Sequence, residues 1–222
     1  MRADDLRTKR TTLRVFAGQG SARVFGAGVV VALVARAVIG SVGLGDAVVL
    51  AVTLAAVGPI EWFLHRVVLH APDDAWTSRR LGTGDGHRQH HIDPPELQWL
   101  LLRGADALAV SALFAFFTAV WVIPVTVLVA TPVWGSLVTG WGLVAAGFLH
   151  YEWVHLLIHT RYRCRTPYYR RLAANHRRHH YRNEGYWLGV TSNTGDRLAR
   201  TLPADPGDVP LSATARTLVS PG

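Results

Sequence analysis

The chain carries a single cysteine, Cys164, in 222 residues, so no intramolecular disulfide is possible and a reducing compartment is acceptable. Charge is also scarce, at 17% of residues against 50% hydrophobic, and the scarcity is concentrated. From residue 24 to 43 the only charged side chain is Arg36, from 47 to 60 there is none, and residues 107–148 hold no Asp, Glu, Lys or Arg. A core helix of a soluble protein keeps a polar stripe on its outer face, and the last of these runs has none. The start of the chain lacks the form of a cleavable signal peptide: its polar stretch is long, and no small-residue site follows a short apolar core. No repeated structural module is visible beyond the histidine clusters described below.

The apolar runs have the length of membrane crossings, since a helix rising 1.5 Å per residue needs about 20 residues to span a hydrocarbon core of about 30 Å. They predict an all-α integral membrane fold with four spans near 24–42, 47–64, 107–123 and 135–157. These pair as two hairpins, joined by residues 41–46 and by residues 124–134 with Pro124 and Pro132. The net charge of +8 is carried outside the spans. Arg2, Arg7, Lys9, Arg10, Arg14 and Arg23 precede the first span, and many arginines fill residues 66–103 and 161–200, while neither short turn has a basic residue. The positive-inside rule then places both termini and the long middle segment in the cytoplasm, which in a bacterium means the cell membrane. The same distribution gives no support to a nucleic-acid groove. The expected organisation is a basic cytoplasmic arm (1–23), a membrane domain (24–202) and a loose proline-containing tail (203–222). Arg36, alone within a span, is expected to pair or snorkel. The tryptophans at 99, 121, 134 and 141 fit either interface anchoring or packing.

Eleven histidines are present, and ten fall into four boxes. They are His65 and His70 in HRVVLH, His87, His90 and His91 in HRQHH, His155 and His159 in HLLIH, and His176, His179 and His180 in HRRHH. Every box lies at the expected cytoplasmic end of a span or in a cytoplasmic segment, so the topology brings all four to one membrane face. There they form a cytoplasmic helical cap. On a helix, residues four apart are offset by about 40° and three apart by about 60°, so the pairs within the last three boxes share faces. His65 and His70, five apart, are splayed by about 140° on a regular helix, which suits ligands to different metals or a helix that unwinds there. Neutral imidazole offers a lone pair that iron, zinc and copper accept, and ten exceed the capacity of one ion. Two ions are implied. The remaining histidine, His150, reads as a hydrogen-bonded structural residue.

The stretches EWFLHRVVLH, HRQHHIDP, HYEWVHLLIH and HRRHHYRNEGYWLGVTS resemble the integral-membrane fatty acid hydroxylase and sterol desaturase superfamily box for box, over roughly residues 58–201. The HxxxxH first box, preceded by Glu61 and with Arg66 after its first histidine, most resembles the fatty acid 2-hydroxylases. Gly189-Val190-Thr191-Ser192 and Asp196 also match. Tyr151-Glu152 departs from the usual Tyr-Asp, and Asn193-Thr194-Gly195 replaces a more apolar stretch.

The resemblance implies a non-haem di-iron monooxygenase that uses O2 to place a hydroxyl group on a lipid acyl chain or a related apolar lipid. Zinc has no redox chemistry and is expected only as a substitute in purified protein. No room is left for the cytochrome b5 domain that many family members carry. Electrons are therefore expected from a separate donor, such as ferredoxin or cytochrome b5 with its reductase. Glu61, four before His65, and Glu152, three before His155, share those faces; they are candidate acceptors of imidazole N–H or else surface carboxylates. Asp196 and Asn183 are further candidates. A lipid desaturase or a sterol or carotenoid oxidase uses the same scaffold, and ligand spacing does not separate them from a hydroxylase. A metal transporter predicts polar ligands inside the spans, whereas the boxes sit at their ends.

Overall fold

The computed structural model describes residues 1–81 and 84–213; among these there is no strand, only an isolated antiparallel bridge between Arg2 and Glu96. In chain order the helices are α1 (Lys9–Ala17), α2 (Gly20–Ile39), α3 (Leu44–Phe63), α4 (Trp76–Leu81), α5 (Asp85–Ile92), α6 (Leu97–Leu100), α7 (Gly104–Leu128), α8 (Val133–His159), α9 (Pro167–Tyr181) and α10 (Thr194–Leu198). A π-helical turn, Leu64–Leu69, continues α3. The apolar runs become helices because hydrocarbon offers no partner to a backbone N–H or C=O, and only a helix satisfies both within one segment. Four helical stretches, Gly20–Ile39, Leu44–Leu69, Leu97–Leu128 and Val133–His159, are long and apolar enough to cross a membrane. Gly40 closes α2 at φ 75°, a conformation that costs glycine nothing for want of a Cβ. α7 continues through Pro124 to Leu128, so the second connection is shorter than its prolines imply. The ring fixes a helical φ and removes only one donor.

The chain forms two compact units. One comprises residues 14–56 and 102–153. Its centre holds buried Val49, Val122 and Leu137, and Phe25 stacks on Phe148 with ring centroids 5.1 Å apart. Small residues let the backbones approach, which matters where lipid leaves close packing as the main attraction between helices. A Cβ added to Gly20 would lie 2.7 Å from the Gly104 nitrogen. Val30, Val34 and Val38 of α2 and Leu108 and Phe116 of α7 face outward, as lipid contact requires. Arg36 pairs with Asp46 at 3.5 Å and donates to the Ser41 carbonyl at 2.7 Å. Asp46 also accepts from Thr139 at 2.5 Å and from the Gly43 N–H at 2.9 Å. Arg36 is thus paired within the first span. Trp121 packs against the core, Trp141 donates to the Ala115 carbonyl, and Trp134 is exposed.

The other unit comprises residues 1–13, 57–101 and 154 onward, and it contains all ten boxed histidines. Its first residues are not a free arm. Arg2 holds the Asp93 carboxylate through two 2.8 Å bonds, the Ala3 N–H donates to Pro95, and Ala3 and Leu6 are buried. α9 begins where Thr166 caps it by accepting from the Tyr169 N–H, with Pro167 in the first turn. Its buried face carries Leu172, Ala173, His176, His179 and His180. The segment expected to be a loose tail is fastened where it begins: the Arg182 guanidinium donates to the carbonyls of Val209 and Gly207, and Val209 is buried. Residues 214–222 of that segment lie outside the described residues.

The contact between Gly20 and Gly104 yields a test. Gly20→Val should cost about 1–3 kcal/mol through overpacking and lower the thermal midpoint in detergent. Gly26→Ala should leave the midpoint unchanged or raise it, since a Cβ there meets nothing within 4 Å.

Candidate metal centre

Each HxxHH box sits on one short helix, the first on α5 and the second on α9. The histidines sort into two sets of five. His65, His70, His87, His91 and His179 form the first, and His90, His155, His159, His176 and His180 the second; within each, one nitrogen per ring lies within 4.8 Å of all the others. Each pentapeptide is therefore divided. HRQHH gives His87 and His91, one turn apart, to the first set and His90 to the second. HRRHH gives His176 and His180 to the second set and His179 to the first. His150 joins neither.

The first box resolves its own 140° difficulty by widening. In the π-helical turn the His70 N–H bonds the His65 carbonyl at 3.1 Å, an i→i+5 ring that adds a residue to the turn and returns both histidines to one face. Both join the first set, with ring centroids 5.1 Å apart. Of the two readings left open by the spacing, the altered helix holds and the split between sets does not. In α8, His155 and His159 keep the regular four-residue offset and stay together in the second set.

The nitrogens face one another. In the first set the Nε2 atoms of His65 and His87 are 3.0 Å apart and those of His87 and His70 3.1 Å. His70 to His179, His87 to His91 and His91 to His179 are each 3.2 Å. In the second set His159 to His176 is 3.0 Å and His176 to His180 is 2.9 Å. Two nitrogens about 2.1 Å from one ion and at right angles to each other are about 3.0 Å apart, so the spacing suits a shared metal. Protonation is opposed throughout. Burial, then the neighbouring imidazoles, pushes His70 down to about 2 and His91, chiefly through burial, to about 3. His87, His90, His176, His179 and His180 are held well below the ordinary imidazole value by the same causes. Neutral rings meeting Nε2 to Nε2 set lone pair against lone pair, an arrangement that a cation relieves. His90 is fully buried and neither of its ring nitrogens meets a hydrogen-bond partner among the described residues, which is costly for a group that no metal holds. The donor set fits two ions with nitrogen ligands.

The groups that orient the rings are backbone carbonyls. His65 Nδ1 meets the Leu188 carbonyl at 2.5 Å and His179 Nδ1 the Tyr186 carbonyl at 2.9 Å, so each ring carries its proton on Nδ1 and turns Nε2 inward. The intervening residue, Trp187, is buried with φ 53°, and its N–H donates to the Thr201 carbonyl. A bulky residue in the left-handed region costs about 1–2 kcal/mol, and here it turns the carbonyls on either side toward two imidazoles.

The carboxylates take a different place from the one their spacing predicts. Glu61 accepts from the N–H groups of Val190 and Thr191, at 2.5 and 2.7 Å, and from the Thr191 hydroxyl at 2.6 Å. Asp196 accepts from the N–H groups of Leu188 and Gly189, at 2.9 and 2.7 Å, and from the Thr201 hydroxyl at 2.6 Å. Both hold the loop whose carbonyls hold the rings, because four consecutive buried N–H groups need acceptors there and His65 Nδ1 already has the Leu188 carbonyl. Glu152 accepts from the Ser21 hydroxyl at 2.6 Å and the Leu102 N–H at 3.1 Å, where two helices begin. Asn183 accepts from the Gly185 N–H and donates to the Pro210 carbonyl, shaping the exit from α9. None of Tyr186, Trp187 and Leu188 is marked in the sequence as a ring-orienting residue, since a carbonyl is common to every residue type; the match at Gly189–Ser192 and Asp196 is the nearest signal.

The comparisons agree with this architecture. A family model described as fatty acid hydroxylase matches residues 48–201. The solved structure of full-length Scs7p, in which only the hydroxylase domain is visible, superposes with a TM-score of 0.65 at 23% identity, over 85% of this chain and 68% of that one; at that identity the likeness is one of fold. No curated protein matches the chain.

The buried neutral rings set a pH dependence. An imidazole such as His91 has a folded value far below that of the unfolded chain, so its contribution is complete above about pH 6.5 and is lost as pH falls toward about 3. Metal-free protein in detergent should melt at progressively lower temperature from pH 7.5 to pH 5, with a slope of about 1.4 kcal/mol per pH unit for each imidazole protonated only on unfolding. A flat profile would contradict burial of the rings.

Proposed function

The chain belongs to the fatty acid hydroxylase family, and from that membership we propose that it is an O2-dependent di-iron membrane monooxygenase that hydroxylates the acyl chain of a lipid. The observation that carries this reading is the sorting of ten histidines from four separate boxes into two five-nitrogen sets. One iron ion is assigned to each set. A pair of iron ions supplies the activation of O2 that an unreactive C–H bond demands.

The residues of the chain do the rest by holding and excluding. Nε2 atoms face inward because the Tyr186 and Leu188 carbonyls take the Nδ1 protons of His179 and His65. Burial keeps the rings neutral and therefore competent as ligands. Glu61 and Asp196 fix the loop that bears those carbonyls and donate no ligand themselves. Electrons come from a separate donor, ferredoxin or cytochrome b5 with its reductase. The arginines of residues 66–103 and 161–200 support a cytoplasmic position for the histidines and both termini, and a lipid substrate is met at that membrane face.

Lipids of cells expressing the chain should contain acyl chains that have gained one oxygen, detected by mass spectrometry against cells without it. His87→Ala and His90→Ala, one from each set, should each abolish the product while the protein remains in the membrane fraction. Loss of two hydrogens in place of a gained oxygen would identify a desaturase, and unchanged lipids with altered cellular metal would identify a transporter.

A further inference from the structure

The two histidine sets differ in how their rings are anchored. In the first set, two of the five rings, His65 and His179, are locked by carbonyls of a loop that Glu61 and Asp196 pin in turn. In the second set, His155 bonds the Leu100 carbonyl, but the Nδ1 atoms of His90, His176 and His180 are buried with no protein partner among the described residues. A ring whose outer N–H lacks a fixed acceptor is less firmly oriented and less basic toward a metal, an effect of about 10–100-fold on affinity when such an acceptor is removed.

A cavity of about 540 Å³ is floored by His159, His176 and His180, all of the second set, and no histidine of the first set lines it. Its walls carry Arg161, Arg163, Arg170 and Arg177. The one carboxylate among its lining residues, Asp4, is already shared between Arg161 at 3.7 Å and Arg2 at 3.3 Å. The lining is therefore cationic, which favours an anion, and it includes three imidazoles of the second set.

We propose that the arginine-lined cavity is a binding site for small anions that opens onto the second histidine set, so that an anion entering it reaches the metal held there. The inference rests on the reading of the two sets as metal sites. An anion in the cavity meets guanidinium donors at its outer end and the second metal at its inner end.

Azide is a suitable probe, followed by visible absorption of purified protein in detergent loaded with two equivalents of cobalt(II), with metal content measured on every sample. Azide should perturb the spectrum in a single binding event. The event should vanish in His90→Ala and His180→Ala and persist in His87→Ala. Arg163→Gln combined with Arg170→Gln should weaken azide binding about tenfold or more. In the unsubstituted protein, azide should slow the removal of one cobalt by dipicolinate and leave removal of the other unchanged; this arm needs no variant to fold. An azide response that survives in His90→Ala and His180→Ala and is lost in His87→Ala would overturn the assignment, and indifference to the arginine substitutions would overturn the role of the cavity. A chain that takes up no cobalt would overturn the metal reading of both sets, whereas two bound ions with azide at the first set would overturn this inference alone.

Discussion

Ten neutral imidazoles turned toward one another are the constraint on which the described structure depends. A buried ring with its lone pair facing another lone pair, at separations near 3 Å, gains nothing from either and loses its hydration. Shared cations convert this liability into the strongest local attraction. The histidine-bearing unit can thus be understood as a device for holding nitrogen atoms where they would otherwise separate, and metal bound by the two sets would couple to its folding as at other sites built from deprotonated ligands. The wide turn after α3, the strained Trp187 and the carboxylates buried under the loop all cost free energy alone, and each fixes the direction of a ring or of the group that directs it.

Support for these rings comes from segments far apart in the chain. Two boxes are carried by the last turns of apolar helices, so hydrocarbon-driven helix formation positions them. The other two lie on α5 and α9, of 8 and 15 residues. A helix as short as α5 is marginal in water unless something outside it helps. Arg2 clamps Asp93 just past its C-terminal end, and the Ala3 N–H pairs with Pro95 two residues later. Residues that look from composition like a solvated basic arm are thereby part of what keeps His87, His90 and His91 in place.

Much of this was legible in residue types and spacing. Charge-free runs of span length announce helices, because hydrocarbon permits little else, and histidines at three- and four-residue offsets announce shared faces. The route by which His65 and His70 converge was open, since a five-residue spacing does not say whether the helix or the ligand set gives way; the π-helical turn required the coordinates. Glu61 and Asp196 were recognisable as candidate partners of the imidazoles, but not as acceptors for the backbone of residues 188–191. That role depends on where a distant loop places its N–H groups, and nothing local to either carboxylate encodes it. The carbonyls of Tyr186 and Leu188 were illegible for the same reason, and the docked start of the chain was obscured because Arg2 reads as one more positive charge.

The doubled pentapeptide has a geometric consequence of its own. On a helix, positions i and i+4 differ by about 40°, while i+3 and i+4 differ by about 100°, so HxxHH cannot turn all three rings to one point. Two rings can serve one ion and the third must serve a neighbour on the adjacent face. When α5 divides its histidines two and one, and α9 divides its own one and two, each set is completed only by taking a ring from both helices. The sets are then obliged to be neighbours: His91 and His180, which belong to different sets, stack with centroids 4.2 Å apart. A chain with HxxxH in all four places would supply eight ligands and leave the two ions free to sit apart. The extra histidine in each pentapeptide removes that freedom, and proximity of the two sets is what it encodes.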